Sequence, residues 1–268
     1  MLVSLLAGVL MRCVPIQGRL CVTITGSGGK TSTMETLAGY FSRQGRRVLC
    51  STTTRLAHPD LHSYPCSRQE LTGGRAILAL VPQAGEIVLF GRADGQKLEA
   101  PDEQMLREAS LGYDVVLIEG DGARSLPLKI HSGRDPVVPS WTGVAIAVIG
   151  LKALGQPLDE TCFYLSRRYR QLTGDGSTTV GPAVYRRLLE HPEGLLKGID
   201  DRPVVLFCNQ SDTCTPKQVT AVRDALVAQW SGRPFFLIMG SVQQDSVECA
   251  GAVQAPQTPL GGALYEDF

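Results

Sequence analysis

The chain of 268 residues carries 26 Lys and Arg against 26 Asp and Glu, with 43% hydrophobic and 19% charged residues. That composition excludes a disordered chain, which would be poor in apolar residues and unbalanced in charge. Zero net charge also argues against a nucleic-acid binder with a strongly basic surface. The length fits one large α/β domain or two small ones.

Residues 1–11 form an apolar run with no basic residues ahead of it, which argues against a signal peptide. The run is too short to span a bilayer, and no later segment is long and apolar enough. A buried first helix and no membrane association are expected. The eight cysteines form no CxxC pair, and Cys21, Cys50 and Cys208 sit in apolar runs as small hydrophobes. A disulfide framework or zinc site is not expected, and a cytoplasmic protein is.

Strand-length apolar runs recur at residues 20–25, 47–52, 76–81, 86–90, 115–119, 144–149, 203–208 and 235–239. Most are continuously apolar, as strands buried on both faces of a parallel sheet should be. The 76–81 and 86–90 runs, separated by Pro82 and Gly85, suggest a local hairpin. Helical patterns lie between strands. Met34, Leu37, Ala38 and Phe41 follow one, with Gly45 placed to end it. Residues 101–111 make a second, and Thr215 with Pro216 starts a third carrying Val219, Val222, Leu226 and Trp230. Strands alternating with helices predict a three-layer α/β fold with a mostly parallel central sheet. The expectation is a single domain over 1–268, with a possible small helical insert at 159–201.

The first strand runs into Gly26, Ser27, Gly28, Gly29, Lys30, Thr31 and Ser32, then a helix. Glycines let backbone N–H groups approach phosphate oxygens, and a helix N-terminus adds positive potential. Lys30 would reach terminal phosphates and Thr31 would bind Mg²⁺. Ile24 stands where the long P-loop pattern has its first glycine. The shorter form G-[ST]-x-G-K-T fits, and resembles the loop of Mur ligases and related NTPases. The second strand ends in Thr52, Thr53 and Thr54, whose hydroxyls could meet Mg²⁺ or a phosphate.

The 115–119 strand ends in Glu119 and Asp121, each followed by glycine. An acid here would hold Mg²⁺ or orient an attacking water; which acid does which stays open. Arg124, Lys129, His131 and Arg134 follow as candidate anion donors. After the 203–208 strand, Asn209 and Asp212 stand three apart, as in the guanine-reading N-K-x-D motif, with Gln210 at the lysine position. A turn-forming Asn and a helix-capping Asp are the alternative. Gly240 and Ser241 could form a second base-contacting loop. His58 and His62 share a four-residue spacing, but Pro59 between them argues for a loop rather than a metal site. The Arg167, Arg168 and Arg170 cluster reads as a solvated helix face or an anion contact.

Taken in order, these segments resemble one family. The likeness rests on the loop from Gly26 to Thr31, on Thr52 to Thr54, and on Glu119 to Arg124 with Pro127, Leu128 and Lys129. It continues through Asp135 to Pro139, Leu172 to Gly174, His191 to Gly198, and Asn209 to Asp212, nearly the whole chain. That set resembles the YqeC family, described as selenium-dependent molybdenum hydroxylase accessory or selenium cofactor biosynthesis proteins. The chain departs from it at Gly120, where the family has Ala, and at Gln210, where it has Lys. The resemblance implies a cytoplasmic P-loop NTPase fold and a protein that binds Mg²⁺ and ATP or GTP. It further implies a role in maturing molybdenum hydroxylases, with the hydroxylase and a selenium or molybdenum cofactor intermediate as partners. In that reading Lys30 stabilises a transferring phosphoryl group, Thr31 and Glu119 organise Mg²⁺, and Asp121 orients water or an acceptor. A nucleotide-gated chaperone and a Mur-like ligase are the alternatives.

Overall fold

The structure, a computed structural model, describes residues 1–13 and 18–254. The chain opens with α1 (Leu2–Arg12), whose Leu2, Leu6, Val9 and Leu10 form one buried face at helical spacing. It then enters β1 (Leu20–Gly26), buried along its whole length. α2 (Lys30–Arg43), β2 (Val48–Thr52), β3 (Arg55–Ala57), β4 (Arg68–Glu70), β5 (Ile87–Phe90), β6 (Arg92–Asp94) and β7 (Lys97–Glu99) follow. Next come α3 (Glu103–Ser110), β8 (Val115–Glu119), β9 (Leu128–Lys129), β10 (Val144–Gly150), β11 (Phe163–Tyr164), α4 (Ser166–Thr173) and α5 (Pro182–Glu190). β12 (Val204–Asn209), α6 (Pro216–Val227), β13 (Phe235–Ser241) and β14 (Ser246–Val253) complete the described chain.

Among the described residues, nine strands form one sheet in the order β14-β13-β12-β10-β1-β8-β2-β5-β4. Every neighbouring pair in it is parallel except β13 with β14. The fold is therefore mixed α/β with a mostly parallel central sheet. Alternation along the strands divides the core. Val22, Ile24, Val144, Ile146 and Val205 pack with α1 and α2 on one face. Ala145, Ala147, Leu206 and Cys208 pack with α4, α5 and α6 on the other, and Val116 and Ile118 pack there with α3. Strands lined on both faces by helices must be apolar at every position, which is why they read as continuous runs. The 159–201 segment holds α4 and α5, whose Tyr169, Val184, Tyr185 and Leu188 join that second core.

Helix starts follow local chemistry. Asp102 caps α3 by accepting from the Met105 amide at 3.1 Å, and Thr215 with Gln218 forms a reciprocal capping box on α6. The expected hairpin at 76–90 is wrong. Residues 75–79 form a short 3-10 turn in which Ile77 alone is buried, and β5 pairs parallel with β2 and β4. Each residue of β5 is buried, as an interior parallel strand requires, and the true neighbour is the polar edge strand β4.

β1 lies at the switch in strand order. The chain leaves its carboxyl end toward β2 and β8 on one side, and leaves β10 toward β12 and β13 on the other. In open α/β sheets a crevice forms at such a point, outside the strand carboxyl ends.

Candidate functional site

The loop closing β1 needs its glycines. Gly26, Gly28 and Gly29 have φ of 95°, 79° and 122°, values that side chains disfavour. Space is equally restrictive: a Cβ on Gly28 would lie 2.4 Å from Gly150 Cα, and one on Gly29 2.3 Å from Asn209 Nδ2. α2 begins at once, with Gly29 as an N-cap that offers no side-chain acceptor. First-turn amides without intrahelical partners thus meet the open end of the sheet.

Charged groups converge beneath this loop. Lys30 Nζ donates to the Gly26 carbonyl at 2.9 Å and lies 3.6 Å from Glu119 and 3.4 Å from Asp121. The Thr31 hydroxyl donates to Glu119 Oε2 at 2.8 Å. Asp121 Oδ2 accepts from the Gly26 amide at 3.0 Å and from Lys129 Nζ at 2.8 Å, and His131 Nε2 is also 2.8 Å away. His131 Nδ1 lies 2.7 Å from the Gly194 carbonyl, so both ring nitrogens face oxygen acceptors. Asp121 Oδ1 is buried without a hydrogen-bond partner.

The two acids shift in opposite directions. Burial pushes the Glu119 carboxyl up, with Lys30 and the Thr31 hydroxyl offsetting only part of it. Burial also acts on Asp121, but the Lys30 cation, the His131 hydrogen bond and Lys129 outweigh it and hold that carboxyl far below its usual range. Burial pulls Lys30 down, yet Asp121 and Glu119 win and leave it raised. For Lys129 burial wins over Asp121, with Lys30 adding repulsion, and the direction is down.

Beside the loop lies a pocket of about 400 Å³, lined by Gly29 and Ser32 at one end and by Lys152, Asn209, Asp212 and Val242 among others. Asn209 fastens its floor. Its amide donates to the Gly28 carbonyl at 2.8 Å, and its Oδ1 accepts from the Val242 amide at 3.0 Å. Asp212 sits in a single 3-10 turn entered through Gln210 in a left-handed conformation, φ 68°. Ser241 closes β13 and accepts from the Gln244 amide at 3.3 Å.

Other expected residues lie apart from the pocket. The Thr53 hydroxyl donates to the Val137 carbonyl at 2.7 Å, and the Thr52 hydroxyl to the Glu119 carbonyl at 2.9 Å. Arg124 is exposed and stacks over Tyr164 at 5.1 Å, while Arg134 is exposed on the surface. Lys129 and His131 turn inward onto Asp121 rather than outward. His62 pairs with Glu35 and packs edge-on to Tyr64. Lys197, for which the sequence offered no role, donates to the Ser132 carbonyl at 2.5 Å and so holds the 191–198 segment against the His131 loop. Sequence reasoning missed Lys152 and Gly150. The signal was present, because Gly150 and Lys152 follow a strand carboxyl end where such loops gather.

Among the described residues, no three His, Cys, Asp or Glu side chains are arranged to hold a metal ion. No helix there is long and apolar enough to cross a membrane. No solved structure matches the chain. A relative from Escherichia coli (strain K12), named uncharacterized protein YqeC, is 29% identical over 206 residues, covering 72% of this chain and 77% of that protein. The YqeC protein family matches residues 22–166, more than half of the length. The chain belongs to the YqeC family.

Proposed function

We propose that this protein is a Mg²⁺-dependent P-loop nucleotide-binding protein and NTPase that assists selenium cofactor biosynthesis or the maturation of selenium-dependent molybdenum hydroxylases. The observation that carries the nucleotide reading is the meeting of Lys30, Thr31 and Glu119 at the uncapped start of α2, with Thr31 and Glu119 2.8 Å apart. A hydroxyl and one carboxylate suit Mg²⁺, which dehydrates reluctantly and takes its remaining ligands from water and phosphate. Bound there, Mg²⁺ would offset charge on the β- and γ-phosphates.

The chain's own groups do the rest. Lys30, now 2.9 Å from the Gly26 carbonyl, turns its ammonium onto the terminal phosphates, where charge builds as the bond to the leaving group breaks. The α2 amides hold the phosphates in place. Glu119 is the metal-facing acid because it already shares Thr31. Asp121, bound by three donors on one oxygen, positions Lys30, Lys129 and the glycine loop, and its Oδ1, 3.4 Å from Lys30, would orient water once Lys30 has turned onto the phosphates.

The second reading is a nucleotide-gated chaperone that hands cofactor to the apo-hydroxylase. It draws on the loop at 122–127. The Leu126 carbonyl accepts from the Gly28 amide at 3.1 Å, and the Pro127 carbonyl from the Ser27 hydroxyl at 2.9 Å. Arg124 and Ser125 hold left-handed conformations, φ 49° and 60°, which store backbone strain. Phosphate competing for the Gly28 amide would free this loop.

The first test is calorimetric titration with ATP and GTP, with and without Mg²⁺, plus phosphate release. Binding should require Mg²⁺, and Lys30→Ala should cut turnover at least about 100-fold. A Lys30→Ala protein with full binding and turnover would sink the reading. For the cofactor role, a selenium-dependent molybdenum hydroxylase is produced with and without this protein, and selenium per hydroxylase is measured. Equal selenium removes that part of the proposal and leaves the nucleotide chemistry standing.

A further inference from the structure

The pocket beside the glycine loop is walled by polar and charged side chains. Asp212 and Lys152 both line it, and both are exposed. Among the described residues neither is engaged in an ion pair, so the carboxylate and the ammonium both remain available to a ligand. A third polar group, Gln210 Oε1, is buried with no hydrogen-bond partner. Gln210 also lines the pocket, with that oxygen packed against Gly150, where a Cβ would come within 2.4 Å of it. Because Asn209 is clasped to both Gly28 and Val242, the turn carrying Gln210 and Asp212 is held in fixed relation to the phosphate end of the site.

An ionised carboxylate only accepts hydrogen bonds, so the ligand edge facing Asp212 must donate. Guanine offers two adjacent donors, N1–H and the 2-amino group, which match the two carboxylate oxygens in parallel. Adenine offers one amino group beside the N1 lone pair, which repels the carboxylate. Uracil flanks its single N–H with two carbonyls, and cytosine sets its amino group beside an unprotonated nitrogen. Resting on the nucleotide reading above, we propose that this pocket selects a guanine nucleotide, with Asp212 accepting from the N1–H and 2-amino edge and Lys152 lying against the ring face. Lys152, from the turn after β10, supplies the cation that the position of Gln210 lacks, through attraction to the π face.

The test measures Kd by calorimetry for GTP, ATP and XTP in Mg²⁺, on wild type, Asp212→Asn and Lys152→Ala. Wild type should bind GTP at least about tenfold tighter than ATP, since a second charge-assisted hydrogen bond is involved. Asp212→Asn should weaken GTP by at least about tenfold and gain XTP, whose 2-oxo group accepts from the new amide. Lys152→Ala should weaken GTP severalfold and keep GTP ahead of XTP. Since both side chains are exposed, the variants are expected to fold, which circular dichroism checks. Equal wild-type affinity for GTP and ATP, or an Asp212→Asn protein with unchanged preference, overturns the guanine assignment and leaves nucleotide binding intact. Failure of every nucleotide to bind overturns both.

Discussion

Asp121 gathers its donors on one oxygen: the Gly26 amide, Lys129 and His131 all reach Oδ2, while Oδ1 faces Lys30 at 3.4 Å. Four groups, two of them lysine ammoniums, thus lean on one buried carboxylate. Glu119, two residues away, has Lys30 and Thr31 alone. Two acids on one strand end are driven apart by what surrounds them, which is how a site assigns different tasks to like groups. The arrangement also makes Asp121 necessary for folding. Replacing it by Asn removes the counter-charge for buried Lys30 and Lys129 and turns an acceptor into a donor facing other donors. Asp121→Asn should therefore lose about 3–5 kcal/mol of stability, the usual consequence of breaking one side of a buried ion pair. Urea unfolding checks it, and a loss below about 1 kcal/mol would mean the cluster is hydrated rather than dry.

Loops from β1, β12 and β13 are separate in sequence and joined by one side chain. Asn209 accepts from Val242 and donates to Gly28, so Asn209→Ala breaks two contacts and orphans a half-buried amide and a buried carbonyl. The expected cost is about 1–3 kcal/mol, with weaker nucleotide binding as the glycine loop loosens. An Asn209→Ala protein with unchanged melting and unchanged Kd would show that the loops hold themselves. How much of this was legible in the sequence depended on range. β1, β8, β10 and β12 announce themselves because both faces are buried and each residue must be apolar. The glycine loop and the two acids were legible for the same reason, as polar endings to apolar strands. The 76–90 hairpin failed because Ala76, Leu78, Ala79 and Leu80 favour a helical turn over a strand, and pairing was decided by β2 and the polar β4. β14 was missed because its burial alternates along an edge strand, leaving no apolar run. Lys129 and His131 were read as anion donors from their charge alone. Their attachment to Asp121, and that of His131 to Gly194, is tertiary and leaves no local signature.

The balanced charge of the whole chain conceals carboxylates that folding commits to particular cations, and two of them should contribute to its acid stability. Asp114, ahead of β8, accepts from the Arg47 amide at 2.9 Å and from its guanidinium at 2.6 and 3.0 Å. Those hydrogen bonds outweigh burial and hold its carboxyl at about 2. Asp175, between α4 and α5, takes the Tyr169 hydroxyl at 2.6 Å, the Ser177 amide at 2.9 Å and Arg187 at 2.6 Å. Burial pushes this carboxyl up, yet those partners hold it at about 2 as well. Both values lie below the ordinary 3.8, so the folded chain binds fewer protons than the unfolded one between them. The stabilisation is complete above pH 3.8 and is lost as pH falls toward 2. The two sites share no partner, so their effects should add. In Asp114→Asn with Asp175→Asn, the melting temperature should fall most, relative to wild type, at pH 5 to 7. The gap should then narrow steadily from pH 4 to pH 2, because wild type is losing by protonation what the variant has already lost by substitution. A gap that stays constant over that range would show the pairs to be held by shape and hydrogen bonding of the neutral groups, with charge contributing nothing to the acid stability of the fold.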